Sequence, residues 1–176
     1  MNEAHLHLLL NHSPIIGSGL AAFLLIFELI RGNVTILQVG IWILVVSAAL
    51  GFASYITGDG AEHTVIGMPG MDRHLIHEHE EASVFATWGT IFAAAIGAFT
   101  LWKSLRMNAI PKGWAWGTTI VTLWAFSTMA RTGYLGGQIA HPEAREGFVA
   151  PPRPPRPNHT VSPEAAEQPE RAERPE

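Results

Sequence analysis

Nine histidines and no cysteine define the coordination chemistry open to this chain. Imidazoles ligate transition metals and haem iron, while the missing cysteines exclude disulfides, thiolate ligands and covalently attached c-type haem. Three of the histidines crowd into HLIHEHEEASVFATWG, residues 74–89, and run straight into an apolar segment. Desolvating an imidazole beside lipid is unfavourable, so a histidine there needs a partner, a ligand role or access to water. On a helix over 78–101, His79, Ala82, Ala86, Gly89, Ala93 and Gly97 share one face, so His79 heads a small-residue stripe that points into a bundle. His74 and His77 lie on another face with Glu81. With His5, and with His12 as a further donor, they form an outward set suited to copper or another divalent ion.

The N-terminal stretch MNEAHLHLLLNHS places His5 and His12 seven apart on one helical face and turns His7 away from it. Pro14 either kinks a helix that includes His12 or follows Ser13 as the first residue of a new one. The kinked continuation spans a bilayer more comfortably and brings His12 to its outer part. Bis-histidine ligation of haem b needs two imidazoles from different helices facing each other across a lining of small residues. His12 and His79 form the best such pair, with His7 nearby and Arg131 available to a propionate or to Glu81. The plain alternative is that these histidines only hydrogen-bond to water or to backbone carbonyls at the membrane edge.

The elements that must position these residues are apolar. Of 176 residues, 48% are hydrophobic and 15% charged, against roughly 25% charged in soluble domains. Four blocks, about 6–30, 35–57, 80–102 and 114–137, approach the ~20 residues that cross a bilayer. The second has no polar face, which disfavours a soluble bundle. The expectation is an all-α integral membrane four-helix bundle over 1–148. A tail over 149–176, rich in Pro, Glu and Arg, has too little apolar surface to build a core and is expected to be disordered.

Arg31 lies between the first two blocks, and Lys103, Arg106 and Lys112 lie between the last two, with no acid in either connection. The positive-inside rule puts these loops in the cytoplasm and both termini, with the histidines, on the outer, periplasmic side. Met1, Asn2 and Glu3 offer no basic signal-peptide start, so the first span is expected to stay as an anchor. Within the spans, Glu28 is expected to pair with Arg31, and Ser47, Gly51, Ser54 and Gly58 form a packing seam. The segment from Gly58 to Glu78, with His63, Met68 and Met71, reads as a loop, and the net charge of −4 gives no reason to expect nucleic acid.

HLLLNHSPIIG from His7, SAALGFASYITG from Ser47, the histidine head of the third span and TGYLGGQIAH from Thr132 together resemble a family of small four-helix bacterial membrane proteins of unknown function. The resemblance covers roughly residues 5–148. His7 with His12-x-Pro14, and Gly133 with Gly136-Gly137, match most closely. Leu8 departs from the family's His-Pro opening, so either His5 or His7 is the equivalent histidine. Members occur fused to, or encoded beside, cytochrome-like proteins, and the resemblance therefore implies a multi-pass protein of the bacterial inner membrane in an electron-transfer setting. Three functions follow: a b-type haem relay between quinone and a periplasmic cytochrome, an outer-face metal site, or a cofactor-free accessory subunit of a larger respiratory or photosynthetic complex. A stand-alone enzyme has less support, because no serine or threonine nucleophile sits beside a base.

Overall fold

The computed structural model describes residues 3–68 and 70–150, which form helices and short connections without a strand. The Pro/Glu/Arg-rich tail from Pro151 and its His159 lie outside the described residues. Six α-helices follow one another: α1 (Glu3–Leu10), α2 (His12–Arg31), α3 (Val34–Ile56), α4 (Gly58–Val65), α5 (Arg73–Met107) and α6 (Lys112–Ala140), then a 3-10 turn at Pro142–Ala144. Three helical stretches are long and apolar enough to cross a membrane: Glu3–Arg31, Val34–Val65 and Arg73–Met107. The fourth long helix, α6, is less apolar because of its hydroxyls. Thr119, Thr122, Ser127 and Thr132 each return theirs to the carbonyl four residues back, which satisfies them within the helix.

The ends of the helices follow capping chemistry rather than the edges of the apolar blocks. The Asn33 side chain accepts from the Thr35 and Ile36 amides at 2.9 and 3.2 Å and starts α3 one residue after Gly32, whose φ of 64° closes α2. Asp72 accepts from the His74 amide at 2.9 Å, and Asn108 ends α5 in the left-handed region at φ 47°. Hence α5 is longer than the expected span at both ends. α2 begins at His12 with Pro14 buried in its first turn, while the Asn11 amide still reaches the His7 carbonyl at 2.9 Å, so the chain runs on from α1 through one turn residue.

α2 packs against α3 and α6, and α5 packs against the same two helices, so α2 and α5 stand across a diagonal. The small-residue stripe of α5 is buried from Ala82 to Gly97, as is the α3 seam from Ser47 to Ser54. The approach is close. A Cβ at Gly17 would collide with Ser47 Oγ, and one at Gly19 would lie 2.8 Å from Phe126. Two apolar clusters hold the middle, one around Ala21, Leu44, Ala93 and Ala125 and one around Leu25, Leu37, Ile41, Leu101 and Ala115. The segment after α3, expected as a loop, instead contains α4, which continues from α3 and packs on α1.

Candidate functional site

The end of the bundle that bears α1 and α4 contains a cavity of about 1040 Å³, at the top of the roughly 300–1,000 Å³ usual for ligand pockets. His7, His12, His79 and His141 all line it. Two of these rings are held by backbone carbonyls, and a third, His141, by the Glu143 carboxylate at 3.0 Å. His7 donates from Nδ1 to the Ser54 carbonyl at 3.0 Å, with Thr57 Oγ1 at 3.4 Å, and His79 donates from Nδ1 to the Thr132 carbonyl at 3.0 Å. A carbonyl accepts only from N–H, so each bond selects the tautomer whose Nε2 carries the lone pair. Neither Nε2 has a protein partner among the described residues.

Each ring is seated by a glycine. A Cβ at Gly58 would lie 3.7 Å from His7 Cε1, and one at Gly136 would lie 3.1 Å from His79 Cε1. The sequence motifs around these glycines, SYITG and TGYLGG, thus supply both the carbonyl or hydroxyl partner of a ring and the space beside it. Asn11, in the turn between α1 and α2, also lines the cavity, and its Oδ1 is buried without a partner. Thr87, Met129 and Pro14 complete the wall on the side of the bundle interior.

Of the expected pair, His12 and His79 both line the cavity, and they differ in how they are held. His12 reaches the cavity wall but is exposed and has no ring hydrogen bond among those formed by the described residues, whereas His7 is half-buried and oriented. The junction between α3 and α4 lies beside α1 and offers Ser54 and Thr57 to the face carrying His7. Arg131 is exposed and does not line the cavity, and it forms no ion pair with Glu81 among the described residues.

The outward set is dispersed. His74 meets Glu78 at 3.6 Å, while His77 meets Glu80 at 3.7 Å and Glu81 at 3.4 Å, all exposed pairs on one helix. His5 is exposed on α1. Among the described residues no group of three or more His, Asp or Glu side chains is gathered as a metal site. At the opposite end Glu28 does not pair with Arg31, because the Arg31 guanidinium lies over the Phe27 ring at 5.9 Å and Glu28 turns inward.

Beyond the cavity mouth, Arg145 donates from Nε to the Gln138 carbonyl at 2.8 Å and from Nη2 to the Gly70 carbonyl at 3.2 Å, tying the end of α6 to the segment before α5. In the 3-10 turn, Glu143 is held below the usual carboxylate range by its own backbone N–H and then by the His141 ring, whose Nδ1 lies 3.0 Å from its Oε1. Comparison of the chain with protein-family models, with curated proteins and with solved structures finds no match.

Proposed function

We propose that this chain is a membrane electron-transfer subunit that binds a b-type haem in the cavity, where His7 and His79 would hold it. The observation that carries this reading is the matched pair of imidazoles, each held through Nδ1 by a backbone carbonyl at 3.0 Å and each leaving Nε2 without a protein partner in one shared cavity. Second-partner bonding of this kind orients a ligating histidine and raises its basicity. Four imidazoles line the cavity, but among the described residues no three His, Asp or Glu side chains gather as an ion site, so the two rings held by carbonyls would suit an iron whose other donors come from a porphyrin.

The site's other residues suit a large, partly polar group. Gly58 and Gly136 leave room beside the rings, and Thr87, Met129 and Pro14 give a mostly apolar wall. Among the described residues no Lys or Arg lines the cavity, and His12 and His141 would be the side chains open to acidic groups of the cofactor. When bound, the haem supplies a one-electron carrier; the protein fixes its axial ligands and limits its exposure.

The reading includes four membrane crossings, with α6 as the fourth. Trp114 and Trp116 near one end and Tyr134 near the other support this, as does its packing against α2 and α5. Arg31, Lys103, Arg106 and Lys112 gather at the end opposite the cavity, which supports placing the histidine end outside and the basic end in the cytoplasm of a bacterial inner membrane. A quinol pool in the bilayer and an outer cytochrome fit as donor and acceptor classes.

The decisive experiment is a reduced-minus-oxidised visible spectrum with a pyridine haemochrome assay on protein purified in mild detergent after expression with ample haem. Wild type and His12→Ala should show b-type absorbance, and His7→Ala and His79→Ala should lose it or become five-coordinate. Absence of haem from the wild type rejects the proposal and leaves the accessory-subunit reading. Retention of six-coordinate haem in the His7 variant rejects the ligand pair.

A further inference from the structure

The basic end of the bundle carries two buried oxygens that nothing satisfies. Glu28 is 2% exposed with Oε2 unpartnered, and Ser104 is 0% exposed with Oγ unpartnered. Buried hydroxyls elsewhere in the bundle behave differently. Thr90, Thr119 and Thr122 each donate to the carbonyl four residues back, and Ser104 does not. Both orphans lie toward the basic end of the bundle. Leu25 and Leu101 share an apolar cluster, and Glu28 and Ser104 each follow three residues later on α2 and α5, which run in the same direction across the diagonal.

Among the described residues no cation pairs with the carboxyl. Arg31 is seated on Phe27, Lys103 lies 5.7 Å from the Phe99 centroid and 5.8 Å from that of Trp114, and Arg106 lies 5.7 Å from that of Trp102. Among the helices packed on α2, α3 has no titratable residue before Tyr55 at the far end, and α6 contributes Lys112 at its start, which forms no ion pair with Glu28 among the described residues. The charged groups of α1 are at the opposite end of the molecule. An ionised carboxylate enclosed without a cation or a donor is far more costly than a neutral acid that donates a hydrogen bond.

We propose that Glu28 and Ser104 form an internal proton-holding site at the basic end of the bundle, in which Glu28 stays protonated and one water molecule bridges its carboxyl to Ser104 Oγ. A water needs two or more polar partners to be retained in such a place, and these two oxygens supply them. The proton comes from bulk water at the basic end and stays on a Glu28 oxygen. The inference is independent of the haem reading, since no atom of the cavity enters it.

Infrared spectroscopy of the full-length protein in detergent at neutral pH tests it. Wild type should show the carbonyl stretch of a protonated carboxylic acid, sensitive to deuterium exchange, and Glu28→Gln should lack that band. Ser104→Ala should shift its frequency by removing one anchor of the water, and this variant decides the matter should Glu28→Gln fail to fold. A missing band in the wild type, a band that survives in Glu28→Gln, or a frequency unmoved in Ser104→Ala overturns the proposal. So does a band that disappears when sodium replaces choline at constant pH, because a metal cation would then occupy the site.

Discussion

The adjacent glycines Gly136 and Gly137 allow the seating of His79 to be tested with an internal control. A methyl group at Gly136 would lie 3.1 Å from His79 Cε1 and 3.5 Å from Nδ1, while at Gly137 it would meet nothing within 4 Å. Carbon atoms prefer separations of about 3.5–4.0 Å, so Gly136→Ala pushes the ring off α6 by a few tenths of an ångström. The ring's hydrogen bond runs to Thr132, one turn back on the same helix, and is 3.0 Å long. The same retreat carries it to or past the ~3.2 Å at which such bonds weaken. Loss of a supporting partner lowers metal affinity by about 10–100-fold, which is about 1.4–2.7 kcal/mol. Both substitutions gain up to about 1 kcal/mol of helix propensity, so the difference between them isolates the contact. Titration of haem into apo-protein should show Gly137→Ala binding like wild type and Gly136→Ala binding 10–100-fold more weakly. Equal affinities in the two variants would refute the argument that Thr132 and Gly136 position the ring.

Two further predictions probe the frame around the site. Thr118→Val removes the buried 2.7 Å bond between Thr100 and Thr118 and should lower stability by about 0.5–1.5 kcal/mol. The Thr100→Val/Thr118→Val double variant should lose less than the sum, which a double-mutant cycle in detergent unfolding would measure. Glu143 titrates below its ordinary value because its own backbone N–H, and then His141, favour the carboxylate. Its contribution to holding the turn is therefore full above the unfolded value and is lost as pH falls through the lower folded value. Carboxyl-carbon NMR should show the Glu143 midpoint rising in His141→Ala while staying below that of a free glutamate; an unchanged midpoint would remove His141 from the account.

The parts of this fold that one helix can specify were legible in its sequence. The stripe from Ala82 to Gly97 and the seam from Ser47 to Ser54 are buried as their spacing requires, because periodicity alone determines a helical face. Helix ends were less accessible, since α5 extends to its caps at Asp72 and Asn108 whereas the hydropathy pattern marks only the apolar middle. Glycines disguised α4 as a loop, and what supports that short helix is its packing on α1. The Glu28–Arg31 pair was expected from spacing, but Phe27 offers the guanidinium an alternative seat that the spacing rule does not weigh. His7 was obscured for a related reason: its partners Ser54 and Thr57 come from 47 and 50 residues away, and only tertiary structure brings them together.

That separation of scales bears on how ligand loss should be read. Neither apolar cluster in the middle of the bundle contains a residue that lines the cavity. The helices bury their stripes against one another through the Ala and Gly contacts of α2, α3, α5 and α6, and the two fixed histidines hang their rings from backbone carbonyls that already belong to formed helices. Assembly of the four-helix frame beside the cavity thus follows from packing. Substituting His7 or His79 removes one carbonyl hydrogen bond, about 1 kcal/mol, from a frame held elsewhere. A variant that loses its haem should therefore remain folded, and the loss can be attributed to the missing imidazole.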